Sequence, residues 1–186
     1  MIKKIVIALC FVLCVALIVC GVRALIHSKT PEAEAEKIAT SYFKAFKSND
    51  IEKMKALSAN SAFQDEIKDK YGVFETTAKY LEYEYIDTEI ISSETDPTIV
   101  NIRIKIKNVY FKLVAEKFFQ ETKDKTLSKT EKLEILKELL DNKDNKFSVV
   151  TTTITIEDNK VVANENLFNA MLGGLLQYED YERALF

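Results

Sequence analysis

The sequence predicts an α+β domain in which N-terminal helices pack on a curved antiparallel sheet carrying a helical insertion, the whole preceded by one membrane helix. Three observations carry that prediction. Apolar residues between 31 and 57 recur at helical spacing, those between 83 and 107 alternate with polar ones, and residues 5–22 form an uncharged run. The division expected is 1–27 as a transmembrane anchor or signal segment and 28–186 as an extracytoplasmic domain, with the insertion at about 108–143.

Taking the elements in order, Thr30 is placed to cap the first helix, with Pro31 at its first position and Glu32 complementing the dipole. Ala35, Ile38, Ala39, Tyr42, Phe43 and Phe46 then form an i, i+3, i+4, i+7 stripe. Asn49 or Asp50 caps a second helix with Ile51, Met54 and Leu57 inward. A third is expected from Ala62 to Tyr71, ending at Gly72, with residues 73–82 extending the helical stretch.

From Tyr83 the period falls to two. "TIVNIRIKIK" sets Val100, Ile102, Ile104 and Ile106 on one face and Asn101, Arg103, Lys105 and Lys107 on the other, as a half-buried strand does. Asp96-Pro97 separates it from "YEYIDTEIIS", which predicts an antiparallel pair. "KFSVVTTTITIED" is a third strand, rich in β-branched residues, and Asp158-Asn159 turns the chain into a short fourth around Val161 and Val162. Between the second and third strands, Phe111, Val114, Ala115, Phe118 and Phe119 make one helical stripe and Leu133, Leu136, Leu139 and Leu140 another. Ser128 and Glu131 offer a capping box to the second of these helices. The insertion is expected to form a lid over the sheet's concave face. A last helix runs to Leu172, where Gly173-Gly174 ends it.

The N-terminal run Ile5 to Val22 is 18 residues long, enough for a helix of about 27 Å, and Ala24 to Ile26 lengthen it if Arg23 snorkels. Lys3 and Lys4 precede it. Beyond residue 27 there are 23 basic and 29 acidic residues, about −6, so the positive-inside rule puts residues 1–4 in the cytoplasm and the body outside. Residues 5–26 thus make the membrane a partner. The same segment also offers "LIVCG", which resembles the lipobox of bacterial lipoproteins: Leu17 and Cys20 match, whereas Val19 stands where the family carries Gly, Ala or Ser. An uncleaved anchor, a lipid on Cys20 and simple secretion all stay open, with the anchor favoured because Val19 crowds the cleavage site.

Inventory excludes several chemistries. Cys10, Cys14 and Cys20 are the three cysteines and all lie in the apolar run; the single histidine is His27. The body therefore holds no thiolate nucleophile, disulfide, Ser-His-Asp triad or Cys/His metal site, and no cofactor is expected. Nucleic acid is not an expected partner of an acidic body without a basic patch.

"AEKIATSYFKAFKSNDIEKMKAL" followed by antiparallel strands resembles the opening of the cystatin-like, nuclear transport factor two-like cone. "KFSVVTTTITIEDNKVVANENLFNAMLGGLL" is similar to the C-terminal end of a family of Gram-positive lipoproteins with this fold. That family also has a helical insertion in its sheet and an Asn-Ala-hydrophobic-Leu-Gly-Gly tail. The resemblance spans most of Pro31 to Leu176 and implies an exported bacterial domain. Superfamily members that are isomerases or dehydratases use an Asp base with Tyr or His donors. Carried onto this chain, that implies a pocket of Tyr83, Tyr85, Asp87 and Tyr110.

A solvated Asp87, core packing of Tyr80, Tyr83 and Tyr85, and a solvated basic strip at Arg103, Lys105 and Lys107 are the simpler expectations. The function expected is that of an envelope protein that binds a protein partner or a small apolar ligand without turnover. A subunit of a secretion or conjugation assembly and a small pocket enzyme are the alternatives.

Overall fold

The computed structural model describes residues 30–60, 74–91 and 99–177. The apolar run with Cys20, the helix expected over Ala62 to Tyr71, the Asp96-Pro97 turn and the tail after Gln177 lie outside the described residues. Among the described residues, no helix is long and apolar enough to cross a membrane.

Helix α1 (Pro31–Lys47) starts where its cap predicts, with the Thr30 hydroxyl accepting from the Ala33 N–H at 3.3 Å. Its stripe of Ala35, Ala39, Tyr42, Phe43 and Phe46 is buried. The choice of cap for α2 (Ile51–Leu57) falls on Asp50, whose carboxylate accepts from the Lys53 N–H at 3.0 Å. Asn49, at φ 55°, instead supplies the left-handed turn between the helices. A five-residue helix, α3 (Phe74–Ala78), leads into the sheet.

Strands β1 (Glu82–Ile91), β2 (Ile99–Val109), β3 (Phe147–Glu157) and β4 (Lys160–Val162) form one antiparallel sheet in that order. Asp158 and Asn159 both have positive φ, 48° and 60°, which gives the β3–β4 hairpin the twist of a two-residue primed turn. Alternation then assigns two faces. Val100, Ile102, Ile104 and Ile106 are buried beneath α1, which crosses all four strands, and beneath α6 (Glu165–Met171), which packs on β2 and β3. Each such side chain removed from water contributes roughly 1.5–3 kcal/mol. Among the described residues, no helix is placed on the opposite face, which carries Arg103, Lys105 and Lys107.

Between β2 and β3 come α4 (Phe111–Thr122) and α5 (Lys129–Leu140), the latter opened by the expected Ser128/Glu131 capping box. They pack on each other and, through α5, on α3. The expectation of a lid across the sheet is corrected on this point: α1 and α6 already occupy the covered face, so the insertion extends the core beyond the sheet's end. Phe118 is fully buried, but Phe119, one residue and 100° further round the helix, is 36% exposed and only edges the Phe118 ring at 5.9 Å.

The join of these parts is polar. Asn108 continues the buried face of β2, where the alternation calls for a fifth apolar residue. Its amide nitrogen donates to the carbonyls of Thr77, at 3.1 Å, and Met171, while its Oδ1 accepts from the Val109 N–H at 2.7 Å. Those carbonyls belong to the last turns of α3 and α6, where intrahelical donors run out, and that of Thr77 also accepts from the Tyr80 N–H at 3.2 Å. Gly173, at φ 66°, then brings the chain so close to β2 that a Cβ there would overlap the Val109 carbonyl oxygen. Its own carbonyl accepts from the Phe111 N–H at 3.1 Å, fixing the start of α4.

Two stability outcomes are expected. Asn108→Ala, which removes the buried hydrogen bonds to Thr77, Met171 and Val109, should cost about 2–3 kcal/mol in denaturant unfolding. Gly173→Ala should cost about 2–4 kcal/mol, whereas Gly174→Ala, with φ 91° but open space around its Cα, should cost about 1 kcal/mol. Equal effects at the two glycines would remove the close approach to Val109 as the cause.

Candidate functional site

The four residues expected to share a pocket are divided among three places. Tyr83 and Tyr85 pair with Ile106 and Ile104 and so lie on the covered face. The Tyr83 ring stacks on Phe43 at 4.5 Å and meets Tyr85 edge-on at 5.7 Å. The Tyr85 hydroxyl donates to the Glu36 carbonyl at 3.1 Å and lies 2.8 Å from Thr40 Oγ1, clamping β1 to α1. Burial is the main cause that pushes its pKa up to about 12, although the Thr40 hydrogen bond opposes the rise.

Asp87 is on the other face. A register shift between Tyr85 and Asp87 leaves Ile86 as a bulge, and beyond it Asp87 stands opposite Arg103, to which it is ion-paired. It borders an open depression of about 460 Å³ with Glu89, Asn101 and Thr153, and among the described residues no tyrosine lines that space. This separation corrects the pocket of Asp87 with Tyr83 and Tyr85: a base on one face of a sheet cannot share a substrate with donors on the other. The basic strip is likewise consumed, since Lys105 meets Glu84 at 3.5 Å and Lys107 meets Glu82 at 3.0 Å. Such exposed pairs each contribute at most about 1 kcal/mol, so they neutralise the face more than they stabilise it.

Tyr110 alone borders a cleft of mixed character. It occupies the N-cap position of α4, its N–H donating to the Lys146 carbonyl at 2.8 Å, and it is exposed. Together with Ser148, Val150, Asn166, Asn169 and Gly173 it lines a cleft of about 390 Å³ between β3 and α6. The volume suits a small ligand.

The same strand presents the feature that sequence reasoning missed. β3 has eleven residues, but β4 has three and pairs only with Thr155 to Glu157. The outer side of β4 is itself covered, Ser58 bridging Val161 and the Ala59 N–H donating to the Val161 carbonyl at 2.8 Å. Continuing the hairpin register one residue past Val162 sets Ala163 beside Ile154. Phe147 to Thr153 therefore have β2 on one side and, among the described residues, no strand on the other. Along this edge Phe147 is 41%, Val149 55% and Val150 41% exposed, and the run "FSVVTTT" carries no charge and no proline. A usable signal was present in the sequence: a long β-branched strand whose partner after the turn is cut short by Ala163-Asn164.

One further cluster is structural. The Lys79 ammonium and the Tyr80 hydroxyl, the latter at 3.0 Å, both donate to Asp141, fastening α5 to the approach to β1. Burial works to raise the Asp141 pKa, but the two hydrogen bonds it accepts outweigh it and hold it lowered; the bond that Lys79 donates to Asp141 raises the pKa of Lys79. Among the described residues no three His, Cys, Asp or Glu side chains are grouped to hold a metal ion. Comparison with protein-family models, with characterised proteins and with solved structures returned no match.

The Tyr85 clamp predicts a pH effect. Its folded pKa is raised above the ordinary value of 10, so its contribution is complete below about pH 10 and is lost as pH rises through about 12. Denaturation midpoints across that range should fall more steeply for the natural protein than for Tyr85→Phe. Parallel curves would show that the hydroxyl is not held as described.

Proposed function

We propose that this protein is a non-catalytic binding domain displayed outside a bacterial cytoplasmic membrane, tethered by residues 5–26 or by a lipid on Cys20, and that it engages a protein partner along β3. The observation that carries this reading is the uncharged and partly apolar edge from Phe147 to Thr153, which no other described strand pairs. An exposed edge offers a row of backbone donors and acceptors to a second strand, the mode of recognition known as β-augmentation. On the charged face the basic column is paired with acids.

The tether is supported by the uncharged run after Lys3 and Lys4 and by the acidic body. The laying of α1 across all four strands supports the cystatin-like, nuclear transport factor two-like cone as the finer fold. With the tail pattern, it supports kinship with the Gram-positive lipoproteins that the sequence resembles. A component of a secretion or conjugation assembly is the form this proposal takes if the partner is another envelope protein. A small apolar ligand is the second reading, favoured by the cleft at Tyr110, Asn166 and Asn169.

Two measurements test the proposal. Intact mass of membrane-extracted protein should retain Met1 to Val19 for an anchor, or begin at a diacylated Cys20 for a lipoprotein; a soluble, unlipidated product starting elsewhere would contradict both tethers. A photoreactive residue at Val149 of the full chain should give a covalent protein adduct in membranes, and one at Glu89 should not. Small-molecule adducts alone would favour the cleft reading.

A further inference from the structure

Resting on that reading of β3, we infer that the strand docked on this edge is β3 of a second copy of the chain, antiparallel and centred on Val150. The first argument is symmetry. Two copies paired by a two-fold axis perpendicular to the sheet keep their helices on one side only if the central residue stands opposite itself. The free run Phe147 to Thr153 has Val150 as its middle residue.

In that register Val150 meets Val150 on the covered face, Ser148 meets Thr152, and Val149 meets Thr151 and Phe147 meets Thr153 on the open face. β-branched, aromatic and Thr–Ser pairs of this kind stabilise neighbouring strands. Each pair joins uncharged residues, and all three exposed apolar side chains of the edge gain a partner strand. A register centred one residue later would set Phe147 opposite Thr155 and Ser148 opposite Ile154, whose outer sides Val162 and Ala163 already occupy.

Charge separates this edge from the other one. β1 carries Glu82, Glu84, Asp87 and Glu89 toward the open face and is broken by the Ile86 bulge. Acids, together with a bulge, are the usual protections against edge pairing. β1-to-β1 association would bring the acidic columns together. Pairing through β3 instead gives the order β1-β2-β3-β3-β2-β1, with the two acidic columns about 24 Å apart, beyond the Debye length in physiological salt. The paired stretch is also about 24 Å long, a ladder of seven residues.

The test uses the full chain in membranes, with a photoreactive residue at Val149. The expected product links peptides of two identical chains around Val149 and Thr151. Two charge variants read the register. Val149→Lys with Thr151→Lys sets lysines opposite lysines across the axis and should weaken self-association at least about tenfold, while Val149→Glu with Thr151→Lys sets opposite charges there and should restore it. Thermal melts of each variant separate loss of pairing from loss of fold. An adduct formed only with a different protein would overturn self-pairing and leave β3 as a docking edge; no protein adduct would overturn both. A dimer that ignores the double lysine variant would overturn the register and the inference with it.

Discussion

The carboxamide of Asn108 is the interaction on which the rest of the arrangement hangs. It lies where the buried face of β2 runs out, and it donates to the last turns of two helices far apart in the chain, at Thr77 and Met171. A buried helix end without a partner for its carbonyls is costly, and here a single side chain serves two of them. With α6 held at that point, the chain continues through Gly173 against Val109, and the Gly173 carbonyl receives the first N–H of α4. The covered face, the end of the sheet and the start of the insertion are thus set by one buried polar group and one residue that lacks a side chain.

The two faces of the sheet follow from strict alternation in β2. Its isoleucines go under α1, and its Arg103, Lys105 and Lys107 go to the other side, where each finds an acid on β1. This arrangement separates Asp87 from Tyr83 and Tyr85. A residue that is ion-paired on an open face lacks the enclosed site, with hydrogen-bond donors on the same side, that a general base requires. Among the described residues, the first part of β3 joins an uncharged, partly apolar edge to a neighbouring cleft.

Much of the fold was legible from local signals. The Thr30-Pro31 start, the Ser128/Glu131 box, the isoleucine alternation and the Asp158-Asn159 turn are each fixed by neighbouring residues, and each element formed where those residues placed it. What failed depends on register and on long-range contact. The bulge at Ile86 moves Asp87 away from the tyrosines' face, and no residue near it announces a bulge. Asn108 reads in sequence as the polar end of a strand; its partners are 31 and 63 positions away. The lid went astray because the sequence shows that the insertion has an apolar stripe but does not show that α1 and α6 have already filled the sheet.

Among the described residues, the sheet's unequal strand lengths leave the first part of β3 without a neighbour beyond it, while the β1 edge carries acids and a bulge. Hydrogen exchange of the full chain at two concentrations addresses this contrast most directly, followed at the alternate amides of Phe147 to Thr153 that point away from β2. Protection of those amides that rises with concentration, with no change along β1, is the expected result. Identical exchange at both concentrations would contradict an edge that pairs with its own copy.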